Sequence, residues 1–72
     1  MKAQDFELTT DQEYIQLNNL LKTLQLAQTG GHAKILIQNG EVRVNGTVEF
    51  RVRKKLYRSD LVEFNQNKIR II

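Results

Sequence analysis

Cysteine, proline and tryptophan are all missing from this 72-residue chain, and histidine occurs once. Without cysteine there is neither a disulfide framework nor a thiolate metal site. One histidine, His32, does not make a metal centre, which takes several His, Cys or carboxylate ligands close together. Nucleophilic or general acid–base catalysis needs a base held against its partner in a cleft. The carboxylates here are scattered, and none is paired at helical spacing in an apolar setting. There is no Walker loop, and Gly30-Gly31 falls short of a dinucleotide fingerprint. No apolar run is long enough to span a bilayer, and Met1-Lys2-Ala3-Gln4-Asp5 lacks the apolar core of a signal peptide. Proline-rich, serine-rich and repeated stretches are absent too, so no linker or disordered tail is suggested. These absences lead us to expect one cytoplasmic domain over residues 1–72, with no cofactor, no metal, no membrane association and no enzymatic activity. A chain of this size buries only about 60 % of its unfolded surface, enough for one thin core.

The charge that is present is unevenly placed. The net charge is +3, but up to Gly30 the chain is acidic, with Lys2 and Lys22 against Asp5, Glu7, Asp11 and Glu13. Beyond it lie Lys34, Arg43, Arg51, Arg53, Lys54, Lys55, Arg58, Lys68 and Arg70, against Glu41, Glu49, Asp60 and Glu63. A one-sided excess of this kind suits a polyanionic partner, or else a solvated basic face.

Hydrophobic periodicity divides the chain into short elements. Asp5-Phe6-Glu7-Leu8 alternates polar and apolar and predicts a strand. Thr10-Asp11-Gln12-Glu13 has the form of a capping box. Leu17, Leu20, Leu21 and Leu24 then recur at helical spacing, so a helix begins either at Asp11 or nearer Leu17. A second helix follows Thr29-Gly30-Gly31, capped by Thr29, with Ala33, Leu36 and Ile37 as its buried stripe and Gly40 as a left-handed stop. Ile35 falls on the opposite side of that helix and needs a cover, for which the N-terminal strand is one candidate. Val42-Arg43-Val44, Asn45-Gly46 and Thr47-Val48 predict a hairpin with a type I′ turn. Val48, Phe50 and Val52 alternate with Glu49, Arg51 and Arg53, which extends the second strand with one apolar and one charged face. Leu61-Val62-Glu63-Phe64 and Lys68-Ile69-Arg70-Ile71-Ile72 predict two more strands around Asn65-Gln66-Asn67. The class is α+β: an αα-hairpin on a small, mostly antiparallel sheet.

Two constellations could bind an anion. Gly30 and Gly31 follow the Thr29 cap, where free amides and the positive end of the helix dipole attract phosphate. His32 and Lys34 lie within reach of the same turn. Equally, Gly-Gly suits a plain reversal between helices. The second constellation is the run Arg51, Arg53 and Lys55. On a continuous strand these would emerge on one face at roughly 6.6 Å intervals as a basic ridge, with Glu49 bracing an arginine and Lys54 marking the strand's end. Exposed charges on an edge strand also block edge-to-edge pairing. Tyr14 and Tyr57 could stack on bases, but beside core-like residues they read first as packing.

Taken together, Leu20-Leu21-Lys22, Leu24 through Leu26, Thr29-Gly30-Gly31-His32-Ala33-Lys34 and Gly40-Glu41-Val42-Arg43-Val44-Asn45-Gly46 resemble the S-four (S4) domain. That module, named after a small-subunit ribosomal protein, is built on the αL motif and binds structured RNA. The Gly-Gly-x-Ala-Lys element and the run Glu49-x-Arg51-x-Arg53-x-Lys55 are similar to its small stand-alone YbcJ/YaaA branch. The likeness runs from about Phe6 to the last strand. Three positions depart from the wider pattern. Gly30 and Gly31 stand where Ser-Arg is usual, Ser59-Asp60 replaces Gly-Asp, and Val52 replaces a basic residue.

The resemblance implies a monomer that binds a folded RNA, ribosomal or transfer, alone or on the ribosome. Its basic face would combine the second-helix N-terminus and the hairpin region: Thr29, Gly30, Gly31, His32, Lys34, Arg43, Arg51, Arg53, Lys54 and Lys55. The rival readings are a double-stranded DNA binder on the same surface and a protein-interaction adaptor such as an antitoxin or ribosome-assembly partner.

Overall fold

The computed structural model describes residues 2–72. In chain order the elements are β1 (Lys2–Phe6), β2 (Ile15–Gln16), α1 (Leu17–Thr23), α2 (Gly30–Gln38), β3 (Val42–Val44), β4 (Thr47–Val48), β5 (Lys55–Leu56), β6 (Leu61–Phe64) and β7 (Asn67–Ile71). Five strands form one sheet in the order β1-β7-β6-β3-β4, and β2 and β5 form a separate two-stranded ribbon. All pairings are antiparallel except β1 with β7. The expected α+β class holds.

One face of the sheet and the two helices share the core. Leu17, Leu20 and Leu21 of α1 and Ala33 and Ile37 of α2 are buried with Val42, Val44, Val62, Phe64, Ile69 and Ile71 of the sheet and Ile15 and Leu56 of the ribbon. Each large side chain removed from water contributes about 1.5–3 kcal/mol before entropy is charged against it. Leu24 and Leu36 are only partly buried at the margin of the same cluster.

The local stop signals act as expected. Asn45 and Gly46 take positive φ (53° and 85°) in the two-residue turn joining β3 and β4. Asn45 is also a latch: its amide nitrogen Nδ2 donates to Asp60 Oδ1 (3.0 Å) and its Oδ1 accepts from Leu61 N (2.9 Å). At the end of α2, Gly40 N donates to Ile37 O and Glu41 N to Leu36 O, with Gly40 at φ 78°. That is a Schellman closure, whose left-handed residue favours glycine. Ser59, where the pattern would put glycine, sits at φ 81°.

Several expectations are corrected. Helix α1 begins at Leu17, and the Thr10–Glu13 stretch caps nothing; Gln12 N and Thr9 O close a turn there instead. The N-cap is Gln16, which makes no side-chain capping bond. Backbone carbonyls do that work: Leu17 N donates to Lys54 O (2.8 Å) and Asn18 N to Val52 O (3.1 Å). The N-terminal strand lies earlier, at Lys2–Phe6, and pairs with β7 rather than covering Ile35, which is 56 % exposed.

The extended strand beyond the hairpin is also absent. Strand β4 ends at Val48, and Lys54 N donates to Arg51 O in a turn. The reason lies in the partner strand. Val42 faces Glu49 through a backbone bond, so the next residue, Phe50, would have to pair with Glu41. Glu41 instead lies in the turn that closes α2, so the extended partner strand begins only at Val42. With no partner left, the alternation of Val48, Phe50 and Val52 produces no strand.

Candidate nucleic-acid interface

The start of α2 is built as the sequence predicts. Thr29 has extended backbone (φ −140°, ψ 168°), and its Oγ1 accepts from His32 N at 3.0 Å. Thr29 O takes Ala33 N. His32 closes the cap from the other side, its Nδ1 accepting from Gln28 N at 3.1 Å. A ring nitrogen that accepts carries no proton, so in the neutral ring the proton sits on Nε2. The amides of Gly30 and Gly31 are left without a protein acceptor, as the first amides of any helix are. A Cβ on Gly30 would meet nothing within 4 Å, and one on Gly31 only Thr29 Oγ1 at 3.8 Å. The space beside both residues is open.

These glycines form one side of a groove of about 460 Å³. Its lining comprises Gly30, Gly31 and Lys34 of α2, Asn18 of α1, and Val52 and Arg53. Two residue sets far apart in sequence thus meet. Docking of α1 explains how: the Asn18 amide bonds to Val52 O, which pins the segment carrying Arg53 beside both helices. No carboxylate lines this groove. Asn18 was not among the residues the sequence singled out, because its place depends on that long-range bond.

The remaining predicted residues separate into three groups. Arg51 is 71 % exposed and held in a fork by Glu49: Nε donates to Oε2 at 2.9 Å, Nη2 to Oε1 at 3.2 Å, and the Arg51 amide to Oε2 at 3.0 Å. It is the one ion pair among the described residues. Hydrogen bonding to Arg51 holds the Glu49 carboxyl below its ordinary range, and the same bonds raise Arg51. A guanidinium has five N–H donors, so about three remain for a ligand. Lys54 is half-buried, its backbone committed to the turn and to α1.

Lys55 turns elsewhere. Its Nζ lies 4.9 Å above the Tyr14 ring, and Tyr14 packs on Tyr57 with centroids 5.9 Å apart. The two tyrosines are therefore packing partners, as the sequence favoured. Arg51, Arg53 and Lys55 do not form a ridge, because the turn at Arg51–Lys54 breaks the strand that would have aligned them.

Arg43 belongs to the outer face of the sheet. It lies in register with Val48 on one side and Glu63 on the other, and Glu63 in turn faces Lys68. With Glu41 and Glu63 it lines a different hollow, away from the glycines.

Comparisons with known proteins identify the family. The S4 domain family model matches residues 6–72. The protein YbcJ of Escherichia coli (strain K12) is 34 % identical over 59 residues, 82 % of this chain and 84 % of its own. RlbA of Bacillus subtilis (strain 168), named a probable ribosome maturation protein, is 39 % identical over 56 residues, 78 % of this chain and 79 % of its own. The solution structure of E. coli YbcJ, described as revealing an αL motif involved in RNA-binding, superposes with a TM-score of 0.70 at 32 % identity. That superposition covers 94 % of this chain and 85 % of that one. A family match over nearly the whole length, with a solved relative of the same overall fold, leaves one assignment: the chain belongs to the S4 domain family.

Proposed function

We propose that this chain binds structured RNA and holds its phosphates in the groove at the head of α2. One observation carries the reading. Two unpartnered glycine amides, Lys34 and Arg53 converge on an open groove whose lining contains no carboxylate. Amides at a helix N-terminus with flanking cations are a phosphate site by geometry and by dipole. Thr29 and His32 hold the turn in shape rather than bind, Arg51 extends the cationic track, and Lys54 supports it through its backbone. Arg43 and Lys55 stand outside the contact surface. Membership of the S4 family and the RNA-binding description of YbcJ favour RNA over DNA. The ribosome-maturation name of RlbA favours a ribosomal RNA.

Contacts of this kind orient the protein and carry little base information, so selection would come from RNA shape. The molecule acts as a binder, not a catalyst: its one histidine is occupied in a helix cap.

The test is a salt titration of binding to a folded RNA, with duplex DNA as competitor. Three to five engaged phosphates give a slope of log K against log salt of roughly −2 to −4.5. A flat response, or no binding to folded RNA at low salt, refutes the reading. Equal competition by DNA would move the assignment to nucleic acids in general.

A further inference from the structure

Phe50 is the most exposed large hydrophobic side chain among the described residues, at 61 %. It belongs neither to the core nor to the partly buried residues that pack on it. Its ring leans on the end of α2, where a Cβ at Gly40 would come within 3.4 Å of Cε1 and 3.7 Å of Cζ. Two residues further on, Val52 joins Arg53, Gly30 and Gly31 in the lining of the groove. Two residues span at most roughly 7 Å from Cα to Cα. That is on the order of two nucleotide steps at about 3.4 Å each. A single RNA can reach both.

The surroundings decide what the ring fits. Its chain neighbours are the Glu49–Arg51 fork, with Arg53 beyond. A protein-docking surface needs a contiguous apolar patch of a few hundred Å², whereas a lone ring beside a cationic track is the arrangement that accepts a nucleobase on its π face. Within a continuous helix the bases are stacked on each other and offer no free face. Only an unpaired base can use the ring.

We propose that Phe50 is a stacking platform for one unpaired nucleotide, so that this chain prefers an RNA stem interrupted by a bulge to a continuous stem. The proposal rests on the RNA reading above. It is tested by anisotropy titrations, at fixed salt, of the full chain against two probe RNAs: a continuous blunt-ended duplex stem and the same stem with one unpaired adenosine. Wild type binds the bulged stem between about fivefold and a hundredfold more tightly, the range of one base stacked on an aromatic ring. Phe50→Ala, with an unchanged Tm, binds both stems as wild type binds the continuous one. Phe50→Tyr keeps the preference.

Equal binding of both stems by wild type overturns the stacking role while leaving RNA binding in place. So does a bulge preference that survives in Phe50→Ala, which would leave the ring to a protein partner. An equal loss on both stems together with a lower Tm would make the ring structural and also overturn it. Failure to bind either stem at low salt removes the RNA reading itself.

Discussion

On the outer face of the sheet, cations and carboxylates alternate in register. Arg43 and Lys68 flank Glu63, and Arg70 faces Asp5 across β1 and β7. In the groove at the head of α2, Lys34 and Arg53 share their walls with glycine, asparagine and valine. Both regions are basic by count, and they differ in what stands beside each charge. Opposite charges directly across a sheet favour the pairing of their strands, so each outer-face cation has a carboxylate as its register neighbour, although Arg51–Glu49 is the one ion pair that closes among the described residues. The groove cations have no such partner there and are free to meet a phosphate. Counting charge along a sequence does not separate these cases; register does.

The sharpest way to break this comparison is charge reversal in each region. Lys34→Glu with Arg53→Glu should weaken RNA binding at least a hundredfold, since each charge-assisted hydrogen bond is worth about 1.5–3 kcal/mol. The matching sheet variant, Arg43→Glu with Lys68→Glu, should lower Tm and change RNA affinity far less. Binding titrations at one salt concentration, beside thermal melts, decide it. Equal losses of affinity in the two variants would remove the distinction between the regions.

The two ends of α2 sharpen the contrast further. Gly40→Ala should destabilise by about 1–2 kcal/mol, the cost of a left-handed L-residue, because Gly40 lies at φ 78° with Phe50 close by. Gly31→Glu should raise Tm, since the first turn favours an acidic residue by about 0.3–1 kcal/mol and the site is open. It should nonetheless cost RNA affinity several-fold, because a carboxylate takes the phosphate's place. Urea melts and titrations on the same samples check both. A stable Gly31→Glu protein with wild-type affinity would confine RNA to other surfaces.

The smallest effect concerns Glu49. Its folded carboxyl is held below the ordinary range by Arg51, so its contribution to stability is present above the unfolded glutamate value of about 4.3. That contribution is lost as pH falls through the lower folded value. Glu49→Gln should therefore flatten the acid side of the stability curve slightly and leave it unchanged between pH 6 and 8 apart from a small offset. Melts across acid pH measure this; a steeper acid limb in Glu49→Gln would contradict the assignment.

What was legible in the sequence follows from the range of the forces involved. The Thr29 cap, the Gly40 stop and the Asn45-Gly46 turn are set by residues within a few positions, and each is found where the residue types put it. The start of α1 is set by carbonyls of Val52 and Lys54, more than thirty positions away, so Thr10–Glu13 offered a false cap. The segment after β4 shows the same limit from the opposite direction. Its period of two was sound, but a strand also needs a partner, and Glu41 lies in the turn that closes α2. The expectation that Phe50 lies on the apolar face of a longer strand fails for that reason, and so does the expectation of a straight ridge through Lys55. The glycine turn was visible as a candidate; its meeting with Arg53 was not, because α1 brings them together.

The parallel pairing of β1 with β7 has a consequence in time. Phe6 faces Ile71, and Ile72 N donates to Phe6 O while Leu8 N donates to Ile72 O. Helices α1 and α2 and the β3–β4 hairpin close over short loops, whereas this contact joins opposite ends of the described chain. Closing a long loop costs entropy that short loops do not, and contacts of large sequence separation slow folding. On a ribosome synthesising this chain, the helix pair can form first and β1 must wait for β7. Until then the N-terminal strand has no neighbour, and the sheet edge that it will cover does not exist.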